Sequence, residues 1–131
     1  MRYAVCRERR REIYELAQAK KDAGQADLLR GSGWDVSVAE KDANVIGFVA
    51  VKVNAETHIG EIGLNAVHPV HAGHGVGTAL YEYALDHMKR HGARVATVAT
   101  GGDESHAAAR RAYEKAGFNA VVPSVWLCRL L

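Results

Sequence analysis

Val67-His68-Pro69-Val70-His71-Ala72-Gly73-His74-Gly75-Val76-Gly77-Thr78-Ala79-Leu80 is the stretch that decides how this chain is read. A β-type run stops at Pro69, which cannot donate to a ladder. Glycines follow at 73, 75 and 77, and an amphipathic helical pattern starts at once. Such glycines let the backbone turn tightly and approach a ligand. A helix start leaves N–H groups unpaired and carries a partial positive charge, so the segment has the makings of a pyrophosphate cradle without a charged side chain. A P-loop would need a lysine before its Ser or Thr, and Thr78 has none. A dinucleotide fingerprint would need GxGxxG near the start of its domain, whereas this is GxGxG in mid-chain. A tight loop serving only helix–strand packing is the remaining alternative at this point.

Working outward, Gly77–His91 predicts a helix with Val76, Leu80, Tyr83, Ala84 and Met88 on its buried stripe and Gly92 as its stop. Upstream, Arg7–Lys21 reads as a helix, Gly24 as its stop, and Asp27–Arg30 as a short turn before the Gly31–Gly33 loop. Trp34–Glu40, Val45–Val53 and His58–Val67 read as three strands joined by short turns. Downstream, Arg94–Thr100 reads as a strand and Ser105–Ala116 as a helix capped at Asp103 or Ser105. Asn119–Val122 and Ser124–Leu130 read as closing strands around Pro123. Hairpins first and a strand–helix–strand crossover later predict an α/β fold with a mixed sheet and helices on its faces. Residues 1–131 suit a single domain.

A second motif lies at Ser105-His106-Ala107-Ala108-Ala109-Arg110-Arg111-Ala112-Tyr113-Glu114-Lys115-Ala116-Gly117-Phe118. The two motifs together resemble the GNAT acyltransferase superfamily. The first is similar to its V-x-P strand end followed by R/Q-x-x-G-x-G/A and a long helix. The second is similar to N-x-x-A-x-x-x-Y-x-x-x-G-F, with Ala109, Tyr113, Gly117 and Phe118 in place and His106 where Asn is commonest. Ala72 stands at the Arg or Gln position, so backbone N–H groups must carry more of the phosphate. The resemblance covers Trp34–Leu131 and implies a mostly antiparallel twisted sheet with helices on both faces. It also implies an amino-terminal part shorter than usual for the family.

It further implies an N-acetyltransferase that moves an acetyl group from acetyl-CoA directly to a primary amine. The coenzyme A contacts it implies are Ala66, Val67, His68, Ala72, Gly73, His74, Gly75, Val76, Gly77, Thr78, His106, Ala109 and Tyr113. Tyr113 would protonate the departing thiolate, since a phenol with a reference pKa near 10 keeps its proton at neutral pH. The Val67 N–H would polarise the thioester carbonyl, a role worth about 10²–10³ in rate elsewhere. Glu61 resembles the family's catalytic glutamate and would take the amine's proton. Strand alternation would group it with Gly63, Asn65 and Val67, opposite Ile62, Leu64 and Ala66. A carboxylate beside an apolar cleft would have its pKa raised. A solvated Glu61, or one paired with Arg94, is an equal reading, with Asn65 orienting a water instead. A non-catalytic acyl-CoA sensor would keep the glycine loop without needing Tyr113 or Glu61.

The remaining features are bland. With 17 Lys and Arg against 15 Asp and Glu, the net charge of +2 points to no nucleic-acid partner. No apolar run reaches a membrane-spanning length and no export signal is visible, which predicts a cytoplasmic protein. His68, His71 and His74 sit on a strand end and a glycine loop, poor geometry for a metal, and none is expected. Cys6 and Cys128 read as reduced thiols, Cys128 in a core strand. Arg7, Arg9, Arg10 and Arg11 read as a solvated helix face. Trp34 and Trp126 are core residues or part of an acceptor pocket. A sheet of this size leaves edges to cover, which predicts a homodimer.

Overall fold

The computed structural model describes residues 2–5, 9–19 and 33–131. Among the described residues, five strands form one sheet in chain order: β1 (Arg2–Val5), β2 (Asp35–Lys41), β3 (Asn44–Asn54), β4 (Ile59–Val67) and β5 (Val95–Val98). The first three pairings are antiparallel and β4–β5 is parallel. Among the described residues, three α-helices accompany the sheet: α1 (Arg10–Ala19), α2 (Val76–Arg90) and α3 (Ala107–Lys115). Gly24 and the Asp27–Arg30 turn lie outside the described residues.

Val, Ile and Phe in β3 make it the central strand, buried from Val45 to Val51. One core forms where α2 and α3 cover the sheet, around Val49, Val51, Ile62, Leu80, Ala84 and Tyr113. A second forms beneath α1, where Ile13 and Leu16 meet Val38, Phe48 and Ala66. The helices therefore flank both faces. Gly60 lets α2 come close, because a Cβ there would overlap the Met88 side chain. On α2 it is Tyr81, not Tyr83, that joins Val76, Leu80, Ala84 and Met88 in the core. Both tyrosines flank the stripe, and α3 packs on the Tyr81 side.

Arg9 departs from the expected solvated face. It bonds Glu12 at 2.9 Å, Glu40 at 2.5 Å and the Ala43 carbonyl at 2.9 Å, tying the start of α1 to the β2–β3 hairpin. That hairpin turns through Asp42 and Ala43, both with positive φ (52° and 64°). Left-handed backbone costs a residue with a Cβ about 1–2 kcal/mol, and Gly avoids it. Ala43→Gly is expected to stabilise the domain by about 0.5–1 kcal/mol, after the extra unfolded-state entropy of Gly is counted. Urea unfolding at unchanged slope checks this.

The closing strands expected at Asn119–Val122 and Ser124–Leu130 do not form. Among the described residues no ladder forms beyond β5, and the chain from Asn119 onward is exposed and has no regular secondary structure. Phe118 is the last residue packed on the core. Pro123 lacks the N–H that a continuous ladder would need. Cys128 and Trp126 are accordingly exposed, not core residues.

Candidate functional site

The site is made by an irregularity in β4. Val49 pairs with Asn65 and Val51 with Ile62, so Ala50 alone faces Gly63 and Leu64. This bulge adds one residue and reverses the alternation beyond it. Ile62, Asn65 and Val67 consequently face α2, while Glu61, Gly63, Leu64 and Ala66 face α1. The simple alternation that groups Glu61 and Gly63 with Asn65 is therefore corrected. Sequence alone gives no strong sign of the extra residue; Gly63 is the one hint.

The bulge coincides with the end of the parallel pairing. β5 follows β4 only from Ile59↔Val95 to Ile62↔Val98. Past Ile62 the edge of β4 has no strand beside it among the described residues. The unpaired edge from Gly63 to Val67 forms one wall of the candidate cleft.

At the end of that wall the chain passes through a 3-10 turn, Pro69–His71, whose first N–H groups are met by His68: its ring accepts from Val70 N at 3.2 Å. Gly73 and Gly75 then take left-handed φ of 78° and 80°. Gly75 is the N-cap of α2 and supplies no side-chain cap, so the first N–H groups of the helix stay open. A Cβ on either glycine would meet nothing within 4 Å, so the space before the helix start is free for a ligand. Ala72 is exposed and extended beside it. His71 and His74 line a shallow groove of about 290 Å³ with Lys41, Ile46, Val70 and Val76. Among the described residues no cluster of His, Cys, Asp and Glu could hold a metal ion.

Tyr113 reaches the cleft from α3. Asn65 Nδ2 donates to its hydroxyl at 3.1 Å and to the Gly63 carbonyl at 3.1 Å, while Tyr81 donates to Asn65 Oδ1 at 2.9 Å. The orientation of the amide is fixed twice over: Gly63 O can only accept, so it takes the NH₂ end. Burial first, and then the neighbouring Tyr113, push the Tyr81 phenol well above its ordinary pKa, so it keeps its proton and donates. The rings of Tyr81 and Tyr113 pack 5.2 Å apart. Asn65 and Tyr81 are thus part of this cluster. Tyr81 was not legible as a site residue, because an aromatic on a helix stripe reads as core.

Other candidate residues are placed differently. Ala66 turns its side chain into the α1 core, and Ala109 packs on the α2–α3 core. His106 ends the Glu104–His106 turn and is held by Asp103 at 2.6 Å. Hydrogen bonds from Ser105 and then His106 keep the exposed Asp103 carboxyl down at about 2, so it stays ionised and occupies His106 Nδ1. Glu61 is exposed, not buried in an apolar cleft. Across from it on β3 is Lys52, whose ammonium lies 5.4 Å from the Trp34 ring centre. The Trp34 ring covers Gly63, where a Cβ would come within 2.7 Å of it. Trp34, Lys52 and Glu61 thus border the bulge on its α1 side.

Comparison with known proteins follows the same outline. Residues 3–118 match the acetyltransferase (GNAT) family. A mycothiol acetyltransferase of Streptomyces coelicolor is 36% identical over 81 residues, 62% of this chain and 26% of that protein. The chain thus spans about a quarter of the length of the curated relatives it matches. Among solved structures, a ribosomal-protein-alanine N-acetyltransferase from Brucella melitensis superposes with TM-score 0.79 at 20% identity, covering 99% of this chain and 100% of that one. An aminoglycoside N-acetyltransferase in complex with CoA gives TM-score 0.77 at 14% identity, covering 99% and 100%. At these identities the likeness is one of fold.

Proposed function

From the premise that this chain belongs to the acetyltransferase (GNAT) family, we propose that it transfers an acetyl group from acetyl-CoA to a primary amine. The observation that carries this reading is the convergence of three features at one cleft: the unpaired edge of β4, the open start of α2, and the Tyr113 hydroxyl.

Acetyl-CoA is the substrate whose shape suits that cleft. Its pyrophosphate would lie before Gly73–Thr78, held by backbone N–H groups and the helix dipole. Its pantetheine amides would run along Ala66–His68 as an added strand. The thioester carbonyl would then meet the Val67 N–H near the bulge. The amine nitrogen attacks the carbonyl carbon, a C–N bond forms, and the C–S bond breaks. The thiolate takes the Tyr113 proton. The amine's surplus proton passes to Glu61, and exchange with water resets both groups. Glu61 and Tyr113 stand on opposite faces of β4, so base and acid serve opposite sides of the reacting carbon. Because Tyr113 accepts from Asn65 Nδ2, its own O–H is free to point at sulfur. Asn65 and Tyr81 are positioning residues in this scheme.

The acceptor approaches from the α1 side, over Trp34 and Lys52. The chain acts as a cytoplasmic homodimer on a dissolved amine; no helix among the described residues is long and apolar enough to cross a membrane.

The test follows free-thiol release from acetyl-CoA with a panel of amines, including aminoglycosides and alanine-ending peptides. Release that depends on the amine supports the enzyme. Tight binding of coenzyme A without release across the panel supports a sensor instead. Glu61→Gln is expected to lower kcat/KM about 10²-fold. A full rate in that variant would reassign the proton to a water held by Asn65.

A further inference from the structure

The α1 side of the sheet, opposite Tyr113, carries a row of three side chains that crosses β2, β3 and β4. Lys52 on β3 and Glu61 on β4 are register partners. Their neighbours Val51 and Ile62 are buried on the α2 side, so alternation turns Lys52 and Glu61 to the α1 side. Trp34 immediately precedes β2, whose first residue Asp35 pairs with Val51. Its ring reaches Lys52, with the ammonium 5.4 Å from the ring centre. The same ring lies against Gly63, where a Cβ would come within 2.7 Å of it. Glycine at 63 is what lets the indole rest on the β4 backbone, beside the bulge.

Opposite charges directly across an antiparallel pair have Cβ atoms about 5 Å apart and favour each other. Lys52 and Glu61 nevertheless form no ion pair, with each other or with any other described residue. The indole face holds the ammonium instead, within the range of cation–π attraction. Both charged side chains are exposed and Trp34 is half-buried. One cation and one anion thus stand side by side, open to solvent, next to an apolar wall. An open pair of that kind is complementary to a ligand that bears one anion and one cation at close spacing.

We infer that the acceptor is a free α-amino acid, with its ammonium at Glu61 and its carboxylate at Lys52. This rests on the transfer reading above, with Glu61 as the base. An α-amino acid carries both charged groups on a single carbon, a spacing suited to two side chains on adjacent strands. Lys52 anchors the carboxylate by a charge-assisted hydrogen bond, which fixes where the nitrogen sits relative to Glu61. The Trp34 ring offers its apolar surface to the amino acid's side chain. A polycationic amine would meet a like charge at Lys52. A peptide amino terminus would bring a neutral amide where the carboxylate is needed. The ammonium gives its proton to Glu61, the C–N bond forms, the C–S bond breaks, and the thiolate takes the Tyr113 proton. The products are an N-acetyl amino acid with its carboxylate intact and free coenzyme A.

Free-thiol release from acetyl-CoA tests this with matched acceptors: the standard amino acids, the primary amide of each, and the amine left on its decarboxylation. At least one amino acid is expected to react with kcat/KM about tenfold or more above its amide and its decarboxylated amine, most of the difference lying in KM. Lys52→Met keeps the stem on the indole and removes the charge, so the preference for the acid should fall to near one. Lys52→Arg should retain it, and Lys52→Glu should invert it. Melting temperatures check that the variants fold. Should Lys52→Met or Lys52→Glu unfold, the native preference and its retention in Lys52→Arg decide. Amides or decarboxylated amines that react as well as the acids overturn this inference and leave the transfer reading standing. A preference for the acid that survives Lys52→Met also overturns it. If no acceptor in any form releases thiol, the transfer reading falls and this inference falls with it.

Discussion

Replacing Gly75 by aspartate is expected to weaken acetyl-CoA binding at least about 100-fold, roughly 2.7 kcal/mol, while the domain stays folded. Gly75 holds φ at 80° and caps α2 with no side chain. The space above it is empty of protein atoms. A side chain there would stand where the pyrophosphate is proposed to sit, and a carboxylate would also oppose its charge at the positive end of the helix. Asparagine is the control. Both residues tolerate left-handed backbone better than other non-glycines, and the two are nearly the same size. Affinity is expected to fall in the order Gly, Asn, Asp, with melting temperatures of the two variants close together. Calorimetric titration with coenzyme A reads this directly. An aspartate variant that binds as tightly as the native chain would place the phosphates elsewhere.

Tyr113→Phe is expected to reduce kcat by about 10²–10³ with KM for acetyl-CoA nearly unchanged. The ring stays in the core, so packing against Tyr81 and Phe118 is kept. What is lost is the proton for the thiolate and one hydrogen bond from Asn65. That bond is worth about 1 kcal/mol, small enough for the fold to absorb. Tyr81→Phe separates positioning from chemistry. Its loss leaves Asn65 Oδ1 without a donor and loosens the amide, so kcat should fall only about tenfold. Equal losses in kcat for the two variants would mean that Tyr113 acts only as part of the cluster.

The sequence made much of this legible, for reasons that differ by element. β3 announces itself by β-branched residues because a central strand is buried on both faces. The glycine loop is readable because left-handed backbone selects glycine at 73 and 75 irrespective of the rest of the fold. Pro69 and Gly92 mark their boundaries through local geometry in the same way. Tyr113 is singled out by spacing within a motif, not by its surroundings.

The misses share a different cause. Alternation put Asn65 with Glu61, and one inserted residue opposite Ala50 reversed it. Tyr83 looked like core and Tyr81 did not, because both flank the α2 stripe and only the position of α3 chooses between them. Arg9 read as a solvated charge until the hairpin, 31 residues away, brought Glu40 to it. The segment after Pro123 has the composition of a strand yet joins no ladder among the described residues.

The run from Val67 to Leu80 by itself determined that a strand would end, the backbone would turn through left-handed glycines, and a helix would begin with open N–H groups. These are local consequences of steric freedom and hydrogen-bond bookkeeping. What only the tertiary structure decided is where that helix start points. The bulge in β4 and the end of its pairing with β5 leave the edge that borders the candidate cleft, and α3 carries Tyr113 to Asn65 across 48 residues of sequence. Register and the extent of pairing arise from how many residues two strands place opposite each other, a quantity that no single segment contains.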